Sequence, residues 1–174
     1  MLQKKNIVSL LKTCNFKEYV CGDLHTKGYH YPNFVQNINL LNIPFENDYF
    51  DLLICNHILE HIPNDIKAMK EIYRVLKSSG KALLQVPIAK NTYETFEDSS
   101  IKTPKKRENA FGQFGHVRIY GQDYVTKLES VGLKVKRINI SNKYLKYGVN
   151  TELRYKLSTL LRYTLYLKVV HPVP

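Results

Sequence analysis

Three side chains that could bind a metal ion lie close together in the first half of the sequence. His57, Glu60 and His61 form the pattern H-x-x-E-H, in which one helix of a zinc hydrolase supplies both histidines and the acid. Two imidazoles on one helix face can bind the same ion, but such a site also needs a third ligand from elsewhere in the chain.

The residues around this pattern favour a different interpretation. An apolar run leads straight into His57, and Pro63 follows soon after His61, so a helix with both histidines would have room for only about one and a half turns. Glu71 and His116 are nominal third ligands, but no helical context supports either. We therefore predict no metal ion, and interpret the segment as the end of a buried strand at the edge of a cofactor cleft.

The elements that would position this segment alternate along the chain. Apolar runs predict strands, and apolar residues at helical spacing predict helices. The strands are predicted at 19–24, 33–41, 49–55, 81–88, 133–140 and 164–170, and the helices at 4–13, 65–77, 120–133 and 150–162. The polar stretch 89–120 is predicted to be a loop.

Two of these elements have more specific signals. The run 49–55 is almost continuously apolar, which is typical of a strand covered on both faces. In the helix after it, Asp65 is the predicted cap, and Ser78-Ser79-Gly80 is predicted to end the helix. Its apolar face is predicted to contain Ile66, Met69, Ile72, Tyr73 and Leu76.

Alternating strands and helices indicate a single α/β domain over residues 1–174. We expect a Rossmann-like, mostly parallel sheet with helices on both faces and an antiparallel pair of strands at the C-terminal end. Ligands of such sheets bind at the carboxyl ends of the strands. The informative residues are then Asp23, Asn39, the segment 56–61, and the residues from Pro87 onward.

Composition restricts the cellular context and the partners. The three cysteines, Cys14, Cys21 and Cys55, have no C-x-x-C spacing, which favours reduced thiols in a cytoplasmic protein. No apolar run has the length of about 20 residues that spans a bilayer. The net charge of +11 attracts anions. The basic tail 141–174, with a predicted helix and last strand, leaves an anionic membrane or nucleic acid open as a partner, although packing on its own sheet is the simpler interpretation.

Several long motifs resemble one family. The run INLLNIPFENDYFDLLICNHILEHI and the run EIYRVLKSSGKALLQVP resemble the class I S-adenosylmethionine-dependent methyltransferases, in particular the methyltransferase type 11 branch. The resemblance extends over about residues 15–140. ETFED at 94–98 and FGQFGHVRIYG at 111–121 resemble a bacterial subset of the branch. The resemblance to this family implies that S-adenosylmethionine is the cofactor. It also implies that the methyl group of the cofactor is transferred to a small molecule, lipid or glycan.

The resemblance implies roles for five residues toward this cofactor. Asp23 matches the acid that accepts hydrogen bonds from both ribose hydroxyls, for which two carboxylate oxygens are well suited. Asn39 stands where the family has an acid that meets the adenine amino group, and Leu40 would pack on the adenine ring. Asn56 and His57 begin the loop that lines the methionine end of the cofactor. A structural role for His57 remains an equal alternative.

Substrate contacts are implied for a later segment. If 116–120 is extended, alternation places His116, Arg118 and Tyr120 on one side, where they could bind an anionic substrate or deprotonate a nucleophile. His61, His116 and Tyr120 are the candidate catalytic residues. The alternatives are that His61 only orients its loop and that the later segment is a loop anchored by polar contacts.

One part of the family pattern is missing. We find no first strand and no glycine-rich turn before Asp23, where Gly22 is the only glycine, so the predicted sheet is incomplete at the N-terminus. A partner chain could complete the sheet, because a missing middle strand leaves open edges. The alternative function is that of a non-catalytic relic or partner subunit that has lost the cofactor glycine loop.

Overall fold

The computed structural model describes residues 18–138 and the strand Thr164–Val170. The predicted helices at 4–13 and 150–162 lie outside the described residues. The chain divides into two units, one ending at Asn39 and the other beginning at Leu40.

In the first unit, strand β1 (Cys21–Asp23) pairs in parallel with strand β2 (Val35–Asn37). Both strands are shorter than predicted, and two hydrogen bonds join the segments at the carboxyl ends of the pair. The Asn37 side chain accepts a hydrogen bond from the His25 backbone N–H over 2.9 Å, and the Ile38 N–H donates to the Asp23 carbonyl over 3.0 Å. The parallel pairing agrees with the predicted sheet.

The second unit contains a four-stranded sheet. It is built from β3 (Phe50–Asn56), β4 (Leu76–Pro87), β7 (Lys134–Ile138) and β8 (Thr164–Val170), in the order β3-β4-β8-β7. The β3–β4 pair is parallel, and β8 runs antiparallel to both of its neighbours. The predicted C-terminal antiparallel strands are therefore confirmed, and the last strand lies between two earlier ones.

Helix α1 (Asp65–Val75) connects β3 to β4. Its cap is Asn64 and not the predicted Asp65, because the Asn64 side chain accepts a hydrogen bond from the Lys67 N–H over 3.0 Å. The helix also ends earlier than predicted. The carbonyls of Arg74 and Val75, in its last turn, accept hydrogen bonds from the backbone of residues 48 and 49.

Strand β4 starts at Leu76, so Ser78-Ser79-Gly80 lies within a strand and does not end the helix. The β3–β4 register shifts between Phe50 and Leu52. A Cβ atom at Gly80 would lie 2.8 Å from the Lys77 carbonyl oxygen and 2.9 Å from that of Phe50. Glycine is therefore needed where the extra residues of β4 are accommodated.

The stretch 89–120, predicted to be a loop, contains regular structure. Helix α2 (Pro104–Phe111) begins with Thr103 as its cap and Pro104 in its first turn, a combination that favours helix initiation. Strand β5 (Phe96–Glu97) pairs antiparallel with strand β6 (Arg118–Ile119). Helix α3 (Tyr124–Glu129) is shorter than the predicted 120–133, and Gly132 follows it with φ +98°.

The buried apolar residues of the second unit come from the inner face of α1, from β4 and from the segments around β6 and α3. They include Met69, Ile72, Val75, Leu84, Val86, Ile88, Tyr120, Tyr124 and Leu128. Strand β3 was predicted to be covered on both faces. In the structure one face is partly open, since Leu52 and Ile54, two residues apart on that face, remain 44% and 38% exposed. Within the described ranges, no helix has both the length and the apolar character needed to cross a membrane.

Candidate functional site

The turn after β3 is the first part of the candidate site. His57 has φ +54°, which is uncommon for a residue with a side chain and marks a constrained backbone position. Its N–H donates to the Gln85 carbonyl over 2.8 Å, which fixes the turn to the end of β4. Asn56, the last residue of β3, has a buried side-chain oxygen for which the described part of the chain provides no hydrogen-bond partner.

Glu60 is the central acid of this turn. It lies in the short 3-10 helix Leu59–His61 and is 1% exposed. Neither carboxylate oxygen has a hydrogen-bond partner among the described residues. The nearest cationic candidates are histidines, since Glu60 Oε1 lies 3.4 Å from His57 Nδ1 and 4.0 Å from His116 Nε2.

Three histidines surround this carboxylate with defined ring orientations. His61 Nδ1 lies 3.0 Å from the Gly115 carbonyl oxygen, and His116 Nδ1 lies 3.2 Å from that of Phe111. Because a carbonyl only accepts, both Nδ1 atoms carry a proton and donate. The two rings meet edge to face with centroids 4.8 Å apart.

The third histidine has the same tautomer for a different reason. His57 Nε2 lies 2.9 Å from the Gln85 side-chain nitrogen. An amide nitrogen only donates, so His57 Nε2 accepts, and in the neutral ring Nδ1 carries the proton toward Glu60.

Arg118 fixes the turn from the other side. Its guanidinium donates to the backbone carbonyls of Leu59 (3.1 Å), Ile62 and Pro63 (2.8 Å). Its Nε donates to Glu97 Oε2 over 2.9 Å. The side chain is almost fully buried, so its hydrogen-bonding capacity is used within the chain. A contact of Arg118 with substrate stays a prediction.

Tyr120 and Tyr124 lie beneath the turn. The Tyr120 hydroxyl donates to Asp65 Oδ2 over 2.9 Å, and burial raises the pKa of Tyr120 far above its usual range. Burial also raises the pKa of Tyr124. The Tyr120 phenol is therefore held in its protonated form against Asp65 at the start of α1. Its role in catalysis stays a prediction.

The motifs ETFED and FGQFGHVRIYG pack against each other. Glu97 and Arg118 are opposite each other in the β5–β6 pair. Next to them, Thr95 donates through its hydroxyl to Asp123 Oδ1 over 2.6 Å and through its N–H to Asp123 Oδ2 over 3.0 Å. The Val117 N–H donates to the Glu60 carbonyl over 3.0 Å. The later motif is thus joined directly to the turn after β3.

A second polar cluster holds the segment after Leu40. Arg74 donates to both oxygens of Glu71 over 2.8 Å each and to the carbonyls of Ile43 and Phe45, also over 2.8 Å. Glu71 Oε2 accepts from the Ile43 N–H over 2.8 Å. These contacts lower the pKa of Glu71, with the Arg74 hydrogen bond as the largest cause. Arg74 lies in the motif EIYRVLK, but no pattern in the sequence predicts this role for it.

The electrostatic surroundings of Glu60 affect two neighbours. Burial raises the pKa of the Cys55 thiol to about 12, and the Glu60 charge contributes to the rise. For His116, burial is the largest cause of a lowered pKa, and the nearby His61 lowers it further. Both shifts favour the neutral form of these side chains.

The predicted cofactor residues fall in both units. Asp23 ends β1 and Asn39 follows β2 in the first unit, whereas Leu40, Asn56 and His57 belong to the second unit. In the second unit, hydrogen bonds join the turn 57–63 to the segment 115–120. The roles of all five residues toward S-adenosylmethionine stay predictions.

Comparison with known proteins finds sequence similarity to methyltransferases. Residues 6–84 match the family model of the methyltransferase domain. An uncharacterized protein of Methanocaldococcus jannaschii is 46% identical over 48 residues, 28% of this chain. The sterol 4-C-methyltransferase strm-1 of Caenorhabditis elegans is 40% identical over 70 residues, 40% of this chain. Each match covers 21% of the relative's length.

Solved structures agree on the fold. The S-adenosylmethionine dependent methyltransferase of Mesorhizobium loti has a TM-score of 0.55 at 14% identity, over 86% of this chain and 78% of that one. The phosphoethanolamine N-methyltransferase 2 of Haemonchus contortus, in complex with phosphomonomethylethanolamine and S-adenosylhomocysteine, has a TM-score of 0.52 at 15% identity, over 80% and 37%. The Rossmann-like α/β fold predicted from the sequence is confirmed.

Proposed function

We propose that this chain, which is a class I methyltransferase-like domain by its family match and its fold, transfers a methyl group from S-adenosylmethionine to a small molecule, lipid or glycan. The observation that carries the proposal is the turn at the carboxyl end of β3. It combines a constrained backbone at His57 with a buried Asn56 oxygen that lacks a partner in the described chain.

The residues of this turn suit the cofactor chemically. A buried amide oxygen that lacks a donor costs free energy unless a ligand supplies one. The ammonium group of a methionine moiety is such a donor, and the carboxyl end of a parallel strand is the place where this fold binds ligands. We therefore assign the Asn56 oxygen to the methionine end of the cofactor, with His57 beside it.

S-adenosylmethionine, when bound, supplies an electrophilic methyl group on its sulfonium. The chain then has to hold the acceptor atom in line at about 3 Å and to exclude water. Where the acceptor must lose a proton, a neutral imidazole can take it. His61 and His116 are the candidates, because their Nε2 atoms carry lone pairs. Burial lowers the pKa of His116, which favours its neutral form.

The acceptor is proposed only at the level of its class. The segment shared with a sterol 4-C-methyltransferase supports a lipid-like acceptor, and the net charge of +11 favours acceptors that carry an anionic group. A radiolabelled methyl assay with neutral and anionic small molecules, lipids and glycans distinguishes these classes.

Calorimetric titration with S-adenosylhomocysteine tests the proposal. We expect binding by the wild type and about tenfold weaker binding by Asn56→Ala, since one lost hydrogen bond corresponds to about 1.4 kcal/mol. Asn109→Ala, in exposed helix α2, is the matched control and should bind like the wild type. No binding by this chain, alone or with upstream sequence, contradicts the proposal and supports the non-catalytic alternative.

A further inference from the structure

We propose that Glu60, His61 and His116 form a binding site for a divalent transition-metal ion of the Zn²⁺ type. One ligand atom from each of the three residues lies within 4.8 Å of the other two. Two imidazoles and one carboxylate are a common protein ligand set for zinc and leave a fourth position open.

The Glu60 carboxylate is the first argument for a cation at this place. It is 1% exposed, and both of its oxygens lack hydrogen-bond partners among the described residues. A buried carboxylate without a hydrogen-bond partner is costly, because burial removes most of the solvation that would compensate its charge. A metal ion bound to one oxygen would supply the missing compensation.

The two histidines have the tautomer that binding a metal ion through Nε2 requires. Each donates its Nδ1–H to a backbone carbonyl, His61 to Gly115 and His116 to Phe111. Such an outer hydrogen bond fixes the tautomer of a metal-binding histidine and leaves the Nε2 lone pair for the ion. The residue at position 115 permits this arrangement, because a Cβ there would lie 3.1 Å from His61 Nδ1.

His57 is excluded from the ligand set by its own hydrogen bonds. Its Nε2 accepts from Gln85, so its Nδ1 carries a proton and points to Glu60 Oε1 over 3.4 Å. His57 therefore orients the carboxylate from outside the site. The H-x-x-E-H pattern contributes two of the three ligands, and the third comes from the segment that Arg118 joins to the turn.

The distances require a modest closure around the ion. Bonds of about 2.0–2.1 Å in tetrahedral geometry place ligand atoms about 3.4 Å apart, compared with 4.0 Å between His116 Nε2 and Glu60 Oε1. Small side-chain rotations can provide this closure. Since His61 and the His116 side chain are only partly buried, an ion can reach the site from solvent.

Titration of EDTA-treated protein with Co²⁺ tests the site directly, because bound Co²⁺ gives visible absorption bands and its displacement by Zn²⁺ removes them. We expect one ion per chain. Glu60→Gln and His116→Gln should each weaken binding at least about tenfold. His30→Gln removes an exposed histidine of the first unit and should leave the affinity unchanged.

A measurement on the wild type alone keeps the proposal testable if the variants fail to fold. In imidazole ¹H–¹⁵N spectra, Zn²⁺ should shift the resonances of His61 and His116 and leave those of His25 and His30 in place. No saturable binding, binding equally strong in Glu60→Gln and His116→Gln, or shifts confined to other histidines would each overturn the proposal. The titration contains no S-adenosylhomocysteine, so it tests the metal site separately from cofactor binding. A bound ion would occupy the Nε2 lone pairs of His61 and His116, and these two side chains could then not act as the proton acceptors of the proposed methyl transfer.

Discussion

Arg118 donates from its Nε to Glu97 Oε2 over 2.9 Å, and through this contact the β5–β6 pair holds the turn after β3. Its two terminal nitrogens donate to three carbonyls of that turn. One side chain thus connects two sequence motifs to the candidate site. Its planar set of donors matches this arrangement in a way that a lysine ammonium cannot.

We expect Arg118→Lys to lower the free energy of unfolding by about 3 kcal/mol, because it leaves buried carbonyls without donors. Urea unfolding at neutral pH measures the change. Glu97→Gln should lower the free energy of unfolding by less, since the Glu97 side chain is half exposed and the amide oxygen of the new glutamine can still accept from Arg118. Equal losses in the two variants would show that the carbonyl contacts contribute little.

The Glu71–Arg74 pair is expected to make the free energy of unfolding depend on pH in the acidic range. The pKa of Glu71 is lower in the folded protein than its usual value, so ionised Glu71 stabilises the fold. This contribution is fully present above the usual pKa of a glutamate, and it is lost as the pH falls through the lowered folded pKa. We expect Glu71→Gln to be about 2 kcal/mol less stable at neutral pH and to lose less stability on acidification.

Unfolding by urea at a series of acidic pH values tests this linkage. Glu108→Gln is the control, because Glu108 forms an exposed pair with Lys105, and such pairs contribute little. An unchanged pH slope in Glu71→Gln would contradict the assignment of the slope to this residue.

Gly121 is predicted to tolerate no side chain. A Cβ there would lie 2.3 Å from the Tyr93 carbonyl oxygen and 2.6 Å from that of Glu94, both of them backbone atoms. We expect Gly121→Ala to lower the free energy of unfolding by about 3 kcal/mol. Gly112→Ala is the matched comparison, because Gly112 has φ +79° but open space around it, and should cost about 1–2 kcal/mol. A smaller loss at 121 than at 112 would contradict the prediction.

The sequence predicts those elements whose signal is local. Strand β3 and the last strand were predicted almost to the residue because both are short, nearly continuous apolar runs. Helix α2 was missed because PKKRENAF has little apolar periodicity, although Thr103 and Pro104 are strong start signals. The end of α1 at Val75 depends on backbone contacts with residues 48 and 49, which no local pattern contains.

In the candidate site, too, features with a local sequence signal were predicted, and features that depend on distant contacts were not. The residues of the turn after β3 could be identified from their place at a strand end. The burial of Glu60 could not, because it depends on side chains from distant segments such as His116. Arg118 and Tyr120 were expected to face substrate, because alternate side chains of an extended segment lie on the same side. In the structure their polar atoms bond to the turn and to Asp65, since both side chains are buried.

The Cys55 thiol is predicted to be unreactive in the folded protein. It is 2% exposed, and burial together with the Glu60 charge raises its pKa to about 12, so almost none of it is the nucleophilic thiolate. We expect iodoacetamide in a mildly alkaline buffer to label Cys21, which is only half-buried, at least about tenfold faster than Cys55. Peptide mapping by mass spectrometry distinguishes the two sites, and labelling in denaturant should abolish the difference. Because a thiol at this position can react only after the β3–β4 sheet opens, rapid native labelling of Cys55 would show that the surroundings of Glu60 are open to solvent.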